Sequence, residues 1–479
     1  MMKPLFTLLF ITLFTTITFA QENNFNITIT IKGMENQDGL LANYYGDKKY
    51  LKDTLHFNEK GVAQIKGNKN IPAGVYLMAF PSMRYASFDF IIKETAFSIQ
   101  TDTSNFIKHA VIKNSVENKQ LFEDMNYMIP LGVQNDSLQK LLKPLEKNSD
   151  AYKKIADQLD NINEDINSHR KKIAKKYPTT FYSKLIKAML ELEIPEAPKN
   201  AKGELIDSFY TFHYTKQHYF DHIDFADSGF IRSPIFQGKL LKYFDVYTFP
   251  QPDSIIQSID FVLDKAQANA EMFQFCLNEI FLKYAKSEIM GHDAIYVYMS
   301  DKYFFTGKAW WASEKSLSEL RDRVEAIRPT LIGKIAPNFI VQDTSGKNQI
   351  FHDFISKNKY TVLVFWNSDC GHCQKEIPLL KQIYTDSLKQ FGLDVFSVST
   401  EQTDSSFRAF AAKNCSTDWI TCADMRGVSA FRKEYDVIAT PKVFIIDRNY
   451  KIVAKNIPVE KLYDFITFID KNNAKRKDD

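Results

Sequence analysis

Thr361–Pro378 reads TVLVFWNSDCGHCQKEIP, and its three parts predict a strand, a turn and the start of a helix. Thr361, Val362, Leu363, Val364, Phe365 and Trp366 are β-formers without alternation, the composition of a strand buried on both faces. The polar Asn367-Ser368-Asp369 follows as a turn, and Cys370-Gly371-His372-Cys373 opens a pattern in which Leu380, Ile383, Tyr384 and Leu388 recur at helical spacing. A helix N-terminus offers free N–H groups and partial positive charge, which favour a thiolate. Cys370 is therefore the candidate nucleophile. With two residues between them, Cys373 can reach the first sulfur and resolve a mixed disulfide within the chain. His372, when protonated, would add a second cation beside the thiolate.

Two other uses of the pair stand beside this one. A structural zinc site needs two more ligands, usually a second close pair. Cys415 and Cys422 have six residues between them, so a zinc site is not expected. A purely structural disulfide is the other alternative. Cys415 and Cys422 either bridge, exchange electrons with the first pair, or stay as buried thiols. Cys276 lies in the helical pattern Phe275–Leu282 and is expected in the core. His218 and His222 would share a helical face, with Asp221 and Asp224 nearby. A zinc protease would carry glutamate directly after the first histidine, where Tyr219 stands, so no metal is expected there either.

Phe365-Trp366, Cys370-Gly371-His372-Cys373, Pro378 and a later Thr440-Pro441 resemble the thioredoxin superfamily. Glu376-Ile377-Pro378 narrows this to the TlpA/ResA type of thiol:disulfide oxidoreductase of bacterial envelopes, over about Ile335–Lys471. The resemblance implies a C-terminal α/β thioredoxin fold acting on protein thiols and disulfides. It implies no cofactor beyond the redox-active Cys370–Cys373 pair, and a separate envelope electron donor that the sequence leaves unidentified. It implies a cis Pro441 that places the Thr440 backbone beside the sulfurs, with Trp366, Thr440 and Pro441 as the substrate-binding residues. Glu376 acts either in proton transfer at the sulfurs or as a surface residue. Pro378 should kink its helix.

Two departures bear on the direction of electron flow. Thioredoxins carry aspartate where Val364 stands and tryptophan where Asp369 stands. The Gly371-His372 pair matches protein disulfide isomerase, a family whose potential differs from that of thioredoxin by roughly 90 mV. A protonated His372 makes the disulfide more oxidising, whereas Asp369 acts oppositely, so the direction stays open between reductase and oxidase or isomerase. The TlpA/ResA resemblance favours reductase. Peroxiredoxins share the fold, but their signature puts proline seven residues and threonine three residues before the reactive cysteine. Leu363 and Asn367 occupy those positions. The alternative from another class is an envelope binding or assembly protein carrying the thioredoxin unit as a passenger. The intact dithiol, Trp366 and Thr440-Pro441 speak against it.

The remaining chain supplies context. Its 479 residues exceed one core, while 44% hydrophobic and 25% charged residues are those of an ordinary globular protein. A formal net charge of +3 gives no pointer to nucleic acid, and five cysteines are too few for a disulfide scaffold. Residues 1–20 read as a signal peptide: Lys3, then the uncharged run Leu5–Phe19, then Thr18-Phe19-Ala20 before Gln21. An uncleaved anchor is the alternative, although fifteen apolar residues are short for a span of ~20. The expected compartment is the periplasm or cell envelope, where disulfides persist, with no stable membrane span after cleavage.

Residues 21–112 alternate as short strands between turns, Ile27, Ile29 and Ile31 marking the first buried face. They predict an antiparallel β-sandwich with a binding or docking role. Residues 113–330 turn helical, with Tyr152, Ile155, Leu159, Ile162 and Ile166 stepping by three and four. The aromatic cluster Tyr296, Tyr298, Tyr303, Phe304, Phe305, Trp310 and Trp311 is either core or a ligand groove. Residues 331–479 hold the thioredoxin-like pattern, including a helix over Val428–Tyr435 and a charged, frayed tail from Lys471.

Overall fold

A computed structural model describes residues 24–67 and 71–478; the expected signal peptide lies outside them. The chain forms two compact units. One holds the residues up to Tyr243 with Gln267–Met272, the other Phe244–Ala266 with Phe273 onward.

The first unit begins with eight strands: β1 (Phe25–Lys32), β2 (Asp38–Tyr45), β3 (Lys48–His56), β4 (Val62–Gly67), β5 (Gly74–Phe80), β6 (Ala86–Ile92), β7 (Ala96–Asp102) and β8 (Val111–Lys113). They make two four-stranded sheets, β4-β1-β7-β8 and β3-β2-β5-β6. Ile27, Ile29 and Ile31 are fully buried, as their alternation requires. Two features depart from expectation. β1 and β7 pair in parallel, Asn26 opposite Ala96, within sheets that are otherwise antiparallel. β3 is an edge strand with almost every residue exposed. Its lysines at 48, 49 and 52 hide the strand pattern and guard the open edge.

Helices α1 (Val116–Leu142), α2 (Asp150–Lys176), α3 (Phe181–Met189), α4 (Tyr210–His218) and α5 (Phe236–Val246) follow. Ser115, Ser149 and Thr180 cap the first three through their side-chain oxygens. The Asn118 amide accepts from the Ile91 N–H at 2.7 Å and donates to its carbonyl at 2.8 Å, extending the pairing of β6 into α1. The Glu117 carboxylate accepts from the N–H groups of Phe181 and Tyr182, both at 2.7 Å, where the α3 dipole favours an anion. α4 ends at His218, so His222 does not share a helical face with it, and His218 pairs with Asp221 at 2.6 Å. No group of His, Cys, Asp and Glu suited to a metal ion occurs among the described residues.

The second unit contains α6 (Pro252–Ala266), α7 (Ala270–Ala285), α8 (Asp293–Met299) and α9 (Glu314–Ile327); the division between units passes through α5 and α7. In the aromatic cluster Tyr303 and Phe304 are buried, Tyr296, Tyr298, Phe305 and Trp311 are half-buried, and Tyr298 and Tyr303 both donate to Asp260. Trp310 is the exposed exception. Cys276 is fully buried, as expected.

The C-terminal part of this unit is built from β9 (Ile340–Asp343), β10 (Asn348–Ile350), α10 (Phe351–Ile355), β11 (Tyr360–Trp366), α11 (Cys373–Ile383), β12 (Leu393–Ser399) and α12 (Asp404–Asn414). It closes with β13 (Ile420–Ala423), α13 (Phe431–Glu434), β14 (Lys442–Asp447), β15 (Ile452–Lys455) and α14 (Leu462–Asp478). The sheet order is β10-β9-β13-β12-β11-β14-β15, with β11, β12 and β13 parallel and β14 antiparallel to β11. All seven residues of β11 are buried. Val362, Val364 and Trp366 pack with α11, α12 and α14; Leu363 and Phe365 pack on the other face with α10 and α13. This is the thioredoxin arrangement. α13 is shorter than the expected Val428–Tyr435, because Asp424 collects the N–H groups of Val428 and Ser429 into a loop that leaves Val428 79% exposed. α14 runs on to Asp478. Among the described residues no helix is long and apolar enough to cross a membrane.

Candidate active site

β11 ends at Trp366, whose indole is fully buried, donates to Ser397 Oγ at 2.7 Å and stacks on Phe410 at 4.6 Å. Trp366 therefore supports the site from beneath rather than lining its surface. The chain turns through Asn367–Asp369 to Cys370, which is half-buried. The first helical bond runs from the Gln374 N–H to the Cys370 carbonyl at 3.1 Å, while the Cys373 N–H points at Cys370 Sγ, 3.4 Å away. The sulfur thus occupies the place of a capping oxygen, receiving an N–H that the helix cannot satisfy itself.

The two thiols differ sharply. Burial pushes the Cys370 pKa up, but hydrogen bonds from the Cys373 backbone and side chain, the Thr440 side chain and the His372 backbone outweigh it, leaving the thiol below its ordinary 9.0. Cys373 is fully buried, and loss of solvent pushes its pKa up to about 12. The helix continues through Pro378.

Thr440-Pro441 is cis, and Cys370 Sγ donates to the Thr440 carbonyl at 3.0 Å. The structure thus brings together Cys370, Cys373, Thr440 and Pro441. His372 projects an exposed side chain and reaches the sulfur through its backbone. Glu376 is half-buried on the next turn, where its carboxylate accepts from the Val459 N–H at 3.3 Å.

Cys415 and Cys422 do not form a pair. Cys415 belongs to the core on the α11 face of the sheet and Cys422 to the core on the opposite face, both as free, buried thiols. Burial raises the pKa of each.

One residue at the site escaped sequence reasoning. Glu401, only 7% exposed on the loop after β12, accepts from the Ser368 N–H at 2.7 Å and holds the turn that delivers Cys370. Its other carboxylate oxygen is buried without a hydrogen-bond partner among the described residues. Lying between Thr400 and Gln402, it carried no local signal of burial.

The AhpC/TSA family model matches residues 332–455. Models of two domains of unknown function, DUF4369 and DUF5106, match residues 25–121 and 158–329. A thiol-disulfide oxidoreductase ResA of Bacillus thuringiensis subsp. konkukian is 34% identical over 122 residues, 26% of this chain and 67% of the relative. A thiol:disulfide interchange protein DsbE homolog of Paracoccus denitrificans is 26% identical over 152 residues, covering 32% of this chain and 77% of that one. Among solved structures, a domain of a possible thiol-disulfide isomerase from Cytophaga hutchinsonii has 34% identity and a TM-score of 0.28, covering 30% of this chain and 97% of its own. With a CxxC pair at a helix start and the carbonyl of Thr440, next to the cis proline, at its first sulfur, the chain belongs to the thioredoxin superfamily as a TlpA/ResA-type thiol-disulfide oxidoreductase.

Proposed function

We propose that the protein works in the bacterial cell envelope, reached through its N-terminal signal, and reduces protein disulfides through Cys370 and Cys373. The observation that carries this reading is the opposite displacement of the two thiols. A lowered, half-exposed Cys370 is available as thiolate, and a buried Cys373 keeps its proton until it is needed.

Cys370 thiolate attacks one sulfur of the substrate disulfide, forming a mixed disulfide and expelling the other sulfur as thiolate. Cys373 gives up its proton and attacks Cys370 Sγ, releasing the second substrate thiolate. The protein leaves with a Cys370–Cys373 disulfide, having passed two electrons to a substrate that gains two protons. Thr440 and Pro441 offer the adjoining backbone to an extended substrate segment. Glu376, on the turn after Cys373, is the candidate for the proton transfer that frees the second thiol. An envelope donor of the dithiol class must then reduce the pair again.

Insulin reduction by wild type and Cys370→Ser tests the reading: activity lost in the variant supports it, and equal rates favour a binding protein with a passenger domain. The acidic shift of Cys370 also suits an oxidase or isomerase, because it stabilises the reduced form. A reduction potential well above about −150 mV would assign the protein to that class.

A further inference from the structure

Lys442, the first residue of β14, is joined directly to Pro441, and its ammonium is largely buried. It donates to both the carbonyl and, at 3.2 Å, the carboxylate of Asp436. Asp436 is 9% exposed and sits in the loop after α13 with φ +49°, a conformation in which its carbonyl also accepts from the Ile438 N–H at 3.0 Å. The other carboxylate oxygen accepts from Arg323 Nη1 at 2.7 Å. Arg323 belongs to α9, outside residues 332–455 that the AhpC/TSA model matches. α9 is itself fixed by a buried stripe of Leu320, Val324 and Ile327. A second contact of the same kind lies on the next strand, where Lys455 pairs with Asp293 and donates to Thr330 Oγ1 at 3.3 Å.

Burying an ammonium is costly unless it is paired and hydrogen-bonded. Lys442 therefore ties the start of β14 to wherever Asp436 is held. Asp436 in turn is held by Arg323. Two residues before Lys442, the Thr440 carbonyl accepts from Cys370 Sγ at 3.0 Å.

We propose that Asp436 is a positioning residue of the active site: gripped between Lys442 and Arg323, it sets where Thr440 meets Cys370. The helical region before the thioredoxin fold thereby takes part in tuning the nucleophile. This rests on the reading of Cys370 as that nucleophile.

The test measures the pH midpoint of Cys370 alkylation in the reduced full-length protein, with circular dichroism as the check on folding. Asp436→Asn should shift the midpoint by about 0.5–1 pH unit, because the Thr440 carbonyl that meets Cys370 Sγ is displaced. Arg323→Gln should shift it by less in the same direction, and Arg323→Lys should restore most of the wild-type value. Lys315→Gln, on the same helix but exposed, should leave it unchanged.

An unchanged midpoint in folded Asp436→Asn overturns the proposal. Should that variant fail to fold, an unchanged midpoint in Arg323→Gln overturns it equally, since Arg323 is half-exposed and its loss spares the fold. Failure of the functional reading looks different: Cys370 of the wild type would itself titrate at the ordinary value, whatever the variants did.

Discussion

The four cysteines of the C-terminal domain divide into one dithiol and two separate thiols, and the two classes behave as different chemical species. Cys370 and Cys373 stand where a strand runs into a helix, and the first sulfur receives N–H groups left over by the helix start. Cys415 and Cys422 sit on opposite faces of the sheet, and desolvation raises the pKa of both, outweighing the hydrogen bonds that Thr421, Ser397 and Trp419 offer Cys415. Position relative to the C-terminal end of β11, rather than residue type, separates a redox centre from inert packing.

The comparison can be tested from either side. Cys370→Ser should lower insulin reduction by more than about 1,000-fold, as loss of a nucleophile does. Cys373→Ser should still attack but fail to resolve, so mixed disulfides accumulate, as mass spectrometry would show. Trp366→Ala should destabilise the domain by about 3–5 kcal/mol in denaturant unfolding, because a fully buried indole is lost from beneath the dithiol. Cys415→Ser and Cys422→Ser should leave exchange within about 2-fold of wild type, each costing about 1–3 kcal/mol of stability through a buried hydroxyl. A large loss of activity in either variant would break the distinction between the dithiol and the two buried thiols.

A further effect is expected on alkaline stability. The folded-state pKa of Cys373 lies at about 12 against an ordinary 9.0. Rising pH therefore deprotonates the unfolded chain first, and stability falls between those values. In Cys373→Ala that part of the slope should vanish from denaturation curves taken across the window.

Much of this domain was legible because its signals are local. An unbroken run of β-formers and two cysteines in four residues foretold β11 and the start of α11, while the cis bond at Thr440-Pro441 followed from the family resemblance. The signals that failed were of three kinds. β3 is an edge strand whose lysines conceal its alternation, and the parallel pairing of β1 with β7 joins segments about 70 residues apart. α13 lost its first turn to a loop that Asp424 organises from its own carboxylate. Glu401 and Asp436 are acidic residues in polar loops, and only tertiary contacts bury them. The Arg323 contact to Asp436 spans 113 positions. Polar interactions at such separation leave no periodicity to read.

The most direct test is the rate of iodoacetamide labelling at Cys370 against pH in the reduced protein. The account requires a midpoint below 9.0, with Cys373 unlabelled until far more alkaline pH. A midpoint at or above 9.0, or equal labelling of the two thiols throughout, would contradict it.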